Sequence, residues 1–192
     1  MGELTDFILD EAADFAVGWD QLDSFTMRIN LTAAELNEEW VVARLRDLVM
    51  FTPTTWCLEL DERSSNDLDF ATVRKLTELV KQGLEIALDD FGTGYSSLSQ
   101  LRQLPITMLK IDRTFVEPLA RRNDGVSLAG VIRDLANQLE LSIVAEGVES
   151  EQQRQSLLEL GCNRGQGWLF APAMSANDFE TWAKRRSSDV SG

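Results

Sequence analysis

Residues 84–101 read LEIALDDFGTGYSSLSQL. An apolar run ends in two neighbouring carboxylates, Asp89 and Asp90. A loop with two glycines follows and gives way to an apolar helical pattern that runs to Leu104, where Pro105 stops it. Strand, glycine loop and helix together make the first half of a βαβ unit. Two like charges this close repel, and burying either is costly unless a cation compensates. Either something offsets that cost or the pair stays in water.

Outward from this stretch the chain alternates. On the N-terminal side, residues 4–17 carry Leu4, Phe7, Ile8 and Phe15 at helical spacing. FTMRINL (25–31) reads as a strand. Thr32 and Glu35 form a capping-box pattern that opens a helix with Leu36, Trp40, Val41, Leu45 and Leu48 inward. Pro53 breaks the chain, TWCLELD (55–61) is the next strand, and residues 69–82 are helical with Gly83 as the C-cap. On the C-terminal side, ITMLKID (106–112) is a strand, 127–140 a helix and LSIVAEG (141–147) a strand. Ser150 and Gln153 form a second capping box for a helix ending at Gly161. GWLFAP (167–172) reads as a sixth strand. Ser175 and Asp178 open a last amphipathic helix with Phe179 and Trp182, and RRSSDVSG (185–192) reads as a frayed tail.

Alternating strands and helices imply parallel βαβ units. Six strands at roughly 30-residue spacing fit a doubly wound open sheet or most of an eight-stranded barrel, which typically takes about 250 residues. The chain has 192 residues, enough for one domain with a sizeable core.

Composition narrows the chemistry. The net charge of −14 argues against nucleic-acid polymers and anionic membranes. It leaves room for a phosphorylated ligand, because bound divalent cations invert the local field. No apolar run is long enough to span a bilayer and no signal peptide opens the chain, so a cytoplasmic location is expected, with Cys57 and Cys162 as reduced thiols. There is no histidine. That removes histidine general bases, nucleophile–histidine pairs and histidine zinc sites. Catalysis would rest on carboxylates, lysine, amides or metals.

In parallel α/β folds function sits at the carboxyl ends of the strands. Those ends carry Asn30, then Glu59 and Glu62, then Asp89 and Asp90, then Lys110 and Asp112, then Glu146 and Glu149, with Gln166 at the mouth of the sixth. Taken singly, each acid reads as a helix cap or a solvated loop residue. Together, five successive strand ends bearing amide, carboxylates and lysine make a nest that selects a hard cation, Mg2+, Mn2+ or Ca2+, over zinc. Two such cations could share a carboxylate and activate a water against a phosphodiester, with Lys110 orienting the water or stabilising phosphoryl charge. The loop FGTGYSSLS (91–99) fits neither the dinucleotide nor the P-loop spacing. It reads equally as a phosphate cradle and as a mobile segment coupling binding to partner contacts.

The runs LELDE, ALDDFGTGYSSLSQL, LKIDRTFV, VAEGVE and GQGWLF, in this order and spacing from about residue 4 to residue 183, resemble the EAL-domain family of cyclic di-GMP phosphodiesterases. The resemblance implies an α/β barrel of the TIM type with one reversed strand. It implies Mg2+- or Mn2+-dependent hydrolysis of cyclic di-GMP to linear pGpG at a two-metal site. It implies Asn30, Glu59, Asp89, Asp90 and Glu146 as metal ligands and Lys110 as the residue that positions the water. Glu62 would brace the glycine loop, Glu149 and Gln166 would support catalysis, and Gln166 and Asp90 would face the substrate. Homodimer contacts near the glycine loop are implied as well.

The pattern has departures. Trp168 stands where tyrosine is usual, and Pro172-Ala173 where Arg-Pro is common. Family members carry two strands ahead of the first helix seen here. The second of these ends in the Glu-Ala-Leu that names the family, its glutamate a metal ligand and an arginine beyond it on the substrate phosphate. The 192 residues contain no such segment. The expectation is therefore a partial domain over residues 1–183 with about six of eight strands, a tail over 184–192, unpaired sheet edges, and a two-metal site one ligand short. Two functions follow: a cyclic di-GMP phosphodiesterase, or an EAL module impaired in turnover that binds cyclic di-GMP or a protein partner.

Overall fold

The computed structural model describes residues 2–18, 25–92, 101–120 and 127–190. Its elements are α1 (Gly2–Val17), β1 (Thr26–Asn30), α2 (Ala33–Leu36), α3 (Glu39–Phe51), β2 (Thr55–Asp61), α4 (Phe70–Lys81), β3 (Glu85–Phe91), β4 (Met108–Ile111), α5 (Arg113–Val116), α6 (Leu128–Gln138), β5 (Ser142–Ala145), α7 (Glu151–Glu159) and α8 (Ala176–Val190). Short 3-10 turns span Ser64–Asp67 and Glu117–Ala120. The glycine loop and the helix expected to follow it fall largely on 93–100, outside the described residues.

The five strands are parallel and lie in the order β1-β2-β3-β4-β5. A doubly wound sheet reverses its strand order at a switch point. This one never reverses, which is the sequential order of a barrel wall. Alternation sorts each strand onto two faces. Leu58, Leu60, Ile86, Leu88, Leu109 and Ile111 point into clusters shared with the helices. Each such side chain, fully buried, contributes roughly 1.5–3 kcal/mol. The opposite face carries the polar residues.

Local signals place the helices. Both expected capping boxes form: Thr32 with Glu35 ahead of α2, and Ser150 with Gln153 ahead of α7. Gly83 and Gly161 follow α4 and α7 as expected. The hydroxyl of Ser175 accepts from the Asp178 N–H at the start of α8. That helix continues to Val190, through most of the segment expected as a tail.

Three expectations are corrected. Residues 167–172 form a turn, not a strand: the N–H groups of Phe170 and Ala171 both donate to the Gly167 carbonyl. The sixth position of the sheet is one parallel bridge, Ala145 to Gly165. A side chain at Gly167 would place its Cβ 2.2 Å from the Val148 carbonyl oxygen, so the chain packs here backbone on backbone and folds over. Trp40 is 37% exposed rather than inward, while Leu36, Val41, Leu45 and Leu48 are buried. On α1 the spacing is helical but Leu4, Phe7 and Ile8 face outward, and Thr5, Leu9 and Ala16 form the buried stripe.

Candidate active site

Glu59, Asp89, Lys110 and Glu146 lie at the carboxyl ends of β2, β3 and β4 and just beyond β5. Two residues earlier on each strand stand Cys57, Ala87, Met108 and Val144, which form a buried apolar cluster of their own. Period-two alternation thus gives a polar layer on an apolar floor. The floor lowers the local dielectric and strengthens every charge interaction above it.

Lys110 is the centre of the polar layer. Its side chain is only 2% exposed, and its Nζ lies 2.7 Å from Glu59 Oε2, 2.8 Å from Asp89 Oδ2 and 2.6 Å from Glu146 Oε1. An ammonium has three N–H donors, so all three are in use. Burial alone would lower its pKa; the hydrogen bonds it donates to Asp89, Glu146 and Glu59 reverse that and hold it above the usual lysine value. Lys110 is therefore a permanent cation. Burial raises the Glu146 pKa above its ordinary value, with Asp89 and Glu59 adding repulsion that Lys110 partly offsets. The Gln166 amide donates to Glu146 Oε1 at 2.6 Å. The same segment is tied to the sheet by Gln166 N–H to the Ala145 carbonyl and Val148 N–H to the Gln166 carbonyl.

The adjacent acids are explained by a bulge. Leu88 pairs with Leu109 and Phe91 with Ile111, so Asp89 and Asp90 together stand opposite the single residue Lys110. That is the two-against-one count of a β-bulge, a device that re-aims side chains next to active sites. Asp90 takes a positive φ of 55°, a conformation aspartate tolerates better than most residues. Its N–H donates to Asp89 Oδ1 at 2.8 Å. Burial, then Asp89, Asp112 and Asp61, push the Asp90 carboxyl above its ordinary value.

The remaining candidates fall at measured places. Asn30 is exposed at the end of β1, in register with Glu59. Glu62 is 2% exposed, and its Oε2 accepts the Gly92 N–H at 2.9 Å, at the entry to the glycine loop. Its own N–H donates to the Asp89 carbonyl. Asp112 is the N-cap of α5, accepting from Thr114 N–H. Glu149 lies apart from the Lys110 cluster, paired with Arg113 at 3.0 Å. Both cysteines are free and buried. No helix among the described residues is long and apolar enough to cross a membrane.

The sequence reading missed one participant. Arg28, two residues before Asn30 on β1, reaches Glu59 Oε1 at 3.2 Å. The parity that places Asn30 on the polar face places Arg28 there too.

The donor set suits a hard divalent cation. It is all oxygen, and four carboxylates (Glu59, Asp89, Asp90, Glu146) face two cations, Lys110 and Arg28. Among the described residues no three acidic or thiol groups are arranged to hold a metal ion; Glu59, Asp89 and Glu146 are gathered on Lys110 instead.

A parallel, barrel-type sheet with acids and a lysine converging at its carboxyl strand ends defines an α/β barrel domain of the carboxylate-site kind. The chain belongs to the EAL family, whose domain model matches residues 1–173. It is 34% identical over 181 residues to the cyclic di-GMP phosphodiesterase PdeR of Escherichia coli strain K12, covering 93% of this chain and 27% of that protein. Among solved structures it resembles the MucR phosphodiesterase in complex with c-di-GMP, at 35% identity and a TM-score of 0.79, covering 92% of this chain and 74% of that one. It also resembles a manganese/cy-diGMP complex of Klebsiella pneumoniae BlrP1, at 27% identity and a TM-score of 0.69, covering 88% of this chain and 44% of that one. The chain spans about a quarter of the length of the curated relatives it matches.

Proposed function

We propose that the chain forms the hydrolytic site of a cytoplasmic cyclic di-GMP phosphodiesterase, opening one phosphodiester of the cyclic dinucleotide to give linear pGpG. The observation that carries this is the convergence of Glu59, Asp89 and Glu146 on one buried lysine in a chain of the EAL family. Relatives named as phosphodiesterases, and one bound to c-di-GMP, support the substrate class. The manganese-bound neighbour supports a divalent metal. Mg2+ or Mn2+ held by Glu59, Asp89 and Glu146, with Asn30 and Asp90 alongside, would supply an activated water and neutralise phosphoryl charge.

This chain's own residues set the stage. Lys110 holds three mutually repelling carboxylates within one cluster. It gains a free donor for the attacking water only when one of them turns away. Gln166 fixes the Glu146 carboxylate and, being exposed, would face the substrate. Glu62 fixes the Gly92 N–H and so anchors the entry to the glycine loop. Glu149, on Arg113, supports the segment that carries Glu146. Asp90, set opposite Lys110 by the bulge, would add negative charge for cation and substrate.

The test is hydrolysis of cyclic di-GMP by the 192-residue chain with Mn2+, pGpG being resolved by chromatography. Asp89→Asn, checked for folding by circular dichroism, is the control. Product from the parent and none from Asp89→Asn is expected. Equal turnover in both would overturn the metal assignment. Tight binding without product would instead make the chain a receptor for the same ligand.

A further inference from the structure

The geometry points to Arg28 as a built-in counter-cation that competes with the divalent cation for Glu59 and so sets how much metal the site demands; this rests on the metal-dependent reading above. Glu59 is 7% exposed at its side chain and has two oxygens. Lys110 Nζ takes Oε2 at 2.7 Å, and Arg28 Nη1 takes Oε1 at 3.2 Å. A cation approaching Glu59 therefore meets a resident positive group at either oxygen.

The two are not equally held. Lys110 is 2% exposed and has three carboxylate partners. Arg28 is 27% exposed, and Glu59 is its carboxylate contact, near the long end of hydrogen-bond range. Its guanidinium otherwise rests at 3.9 Å from the Met108 sulphur, a weak acceptor. Arg28 also lines an open cavity of about 640 Å³ between α1, β1 and α8. Glu11 lines the same cavity, giving a displaced guanidinium another acid to turn towards. The arrangement is an exchange: guanidinium on Glu59 without metal, guanidinium in the cavity with it. Since the positive charge of Arg28 opposes a dication at close range in either pose, removing it strengthens cation binding.

The test is Mn2+ binding, followed by loss of the free-ion paramagnetic resonance signal as protein is added, with no substrate present. Parent, Arg28→Met and Arg28→Lys are compared, each also with Asp89→Asn. The expected result is an Asp89-dependent Kd about tenfold lower in Arg28→Met, the scale of one half-buried charge contact, with Arg28→Lys close to the parent. Equal affinity in parent and Arg28→Met, or weaker binding in the variant, overturns the role of Arg28 and leaves the phosphodiesterase reading in place. Absence of Asp89-dependent binding in both overturns the metal reading, and this inference with it. Arg28→Gln, which keeps an N–H donor, replaces Arg28→Met if that variant does not fold.

Discussion

Replacing Lys110 by methionine puts the site's electrostatics to a direct trial. Methionine keeps most of the length and removes the charge. Three carboxylates that now converge on an ammonium at 2.6 to 2.8 Å would face one another over an apolar floor. Removing one partner of a buried ion pair costs about 3–5 kcal/mol, because the other charge is left uncompensated. The lower part of that range applies, since the Asp89 and Glu146 side chains keep 23% and 17% of their exposure. For a chain of this size it corresponds to a melting temperature lower by roughly 10 °C. The effect has a pH signature. Glu146 already binds its proton more tightly in the folded state than its ordinary value implies, and removing Lys110 raises that affinity further. A raised folded-state pKa contributes stability at low pH that is lost as pH rises through it. The gap between parent and variant should therefore narrow as pH falls from about 7.5 to about 5. It should narrow as well with Mn2+, because the variant lacks the competing ammonium and so gains more from the cation than the parent does. The assay is thermal unfolding by circular dichroism at both pH values, with and without Mn2+. A variant melting within about 2 °C of the parent at neutral pH without cation would refute the reasoning, because the carboxylates would then not be held as charged neighbours.

Two further outcomes follow from single contacts. Gly147 has a φ of +63°, and a Cβ there would lie 2.6 Å from Arg113 Cγ, so Gly147→Ala should cost about 1–3 kcal/mol in a chemical melt and loosen the Arg113–Glu149 pair; a neutral substitution would show that the segment after β5 is not pinned. Cys57 is 1% exposed and its thiol is pushed up to about 11, chiefly by burial, so the native chain should resist iodoacetamide at Cys57 at neutral pH and react there in denaturant, as read by peptide mass spectrometry; rapid native labelling would contradict the packed floor.

What was legible in the sequence was whatever depends on near neighbours or on strict alternation. Thr32 with Glu35 and Ser150 with Gln153 are closed within a few residues, so both capping boxes form as read. Glu59, Lys110 and Glu146 could be placed on one face because parallel strands repeat with period two and end together. The same parity would have found Arg28, but a basic residue in mid-strand reads as a solvated edge until Glu59 is known to lie beside it. The bulge was beyond reach for a different reason. Nothing in Asp89-Asp90 says that both will face one residue of β4; that count depends on how β4 registers against β3. GWLFAP failed for a third reason. Its composition is that of a buried strand, but the close backbone approach of Gly167 to Val148 turns the chain after a single bridge. These three misses are facts about pairing between separate segments. The bulge and Arg28 both act on the charge around Lys110, the bulge by setting two acids opposite it and Arg28 by holding the second oxygen of Glu59. The tertiary pairing that the sequence hid therefore decides how strongly this nest of acids attracts a cation.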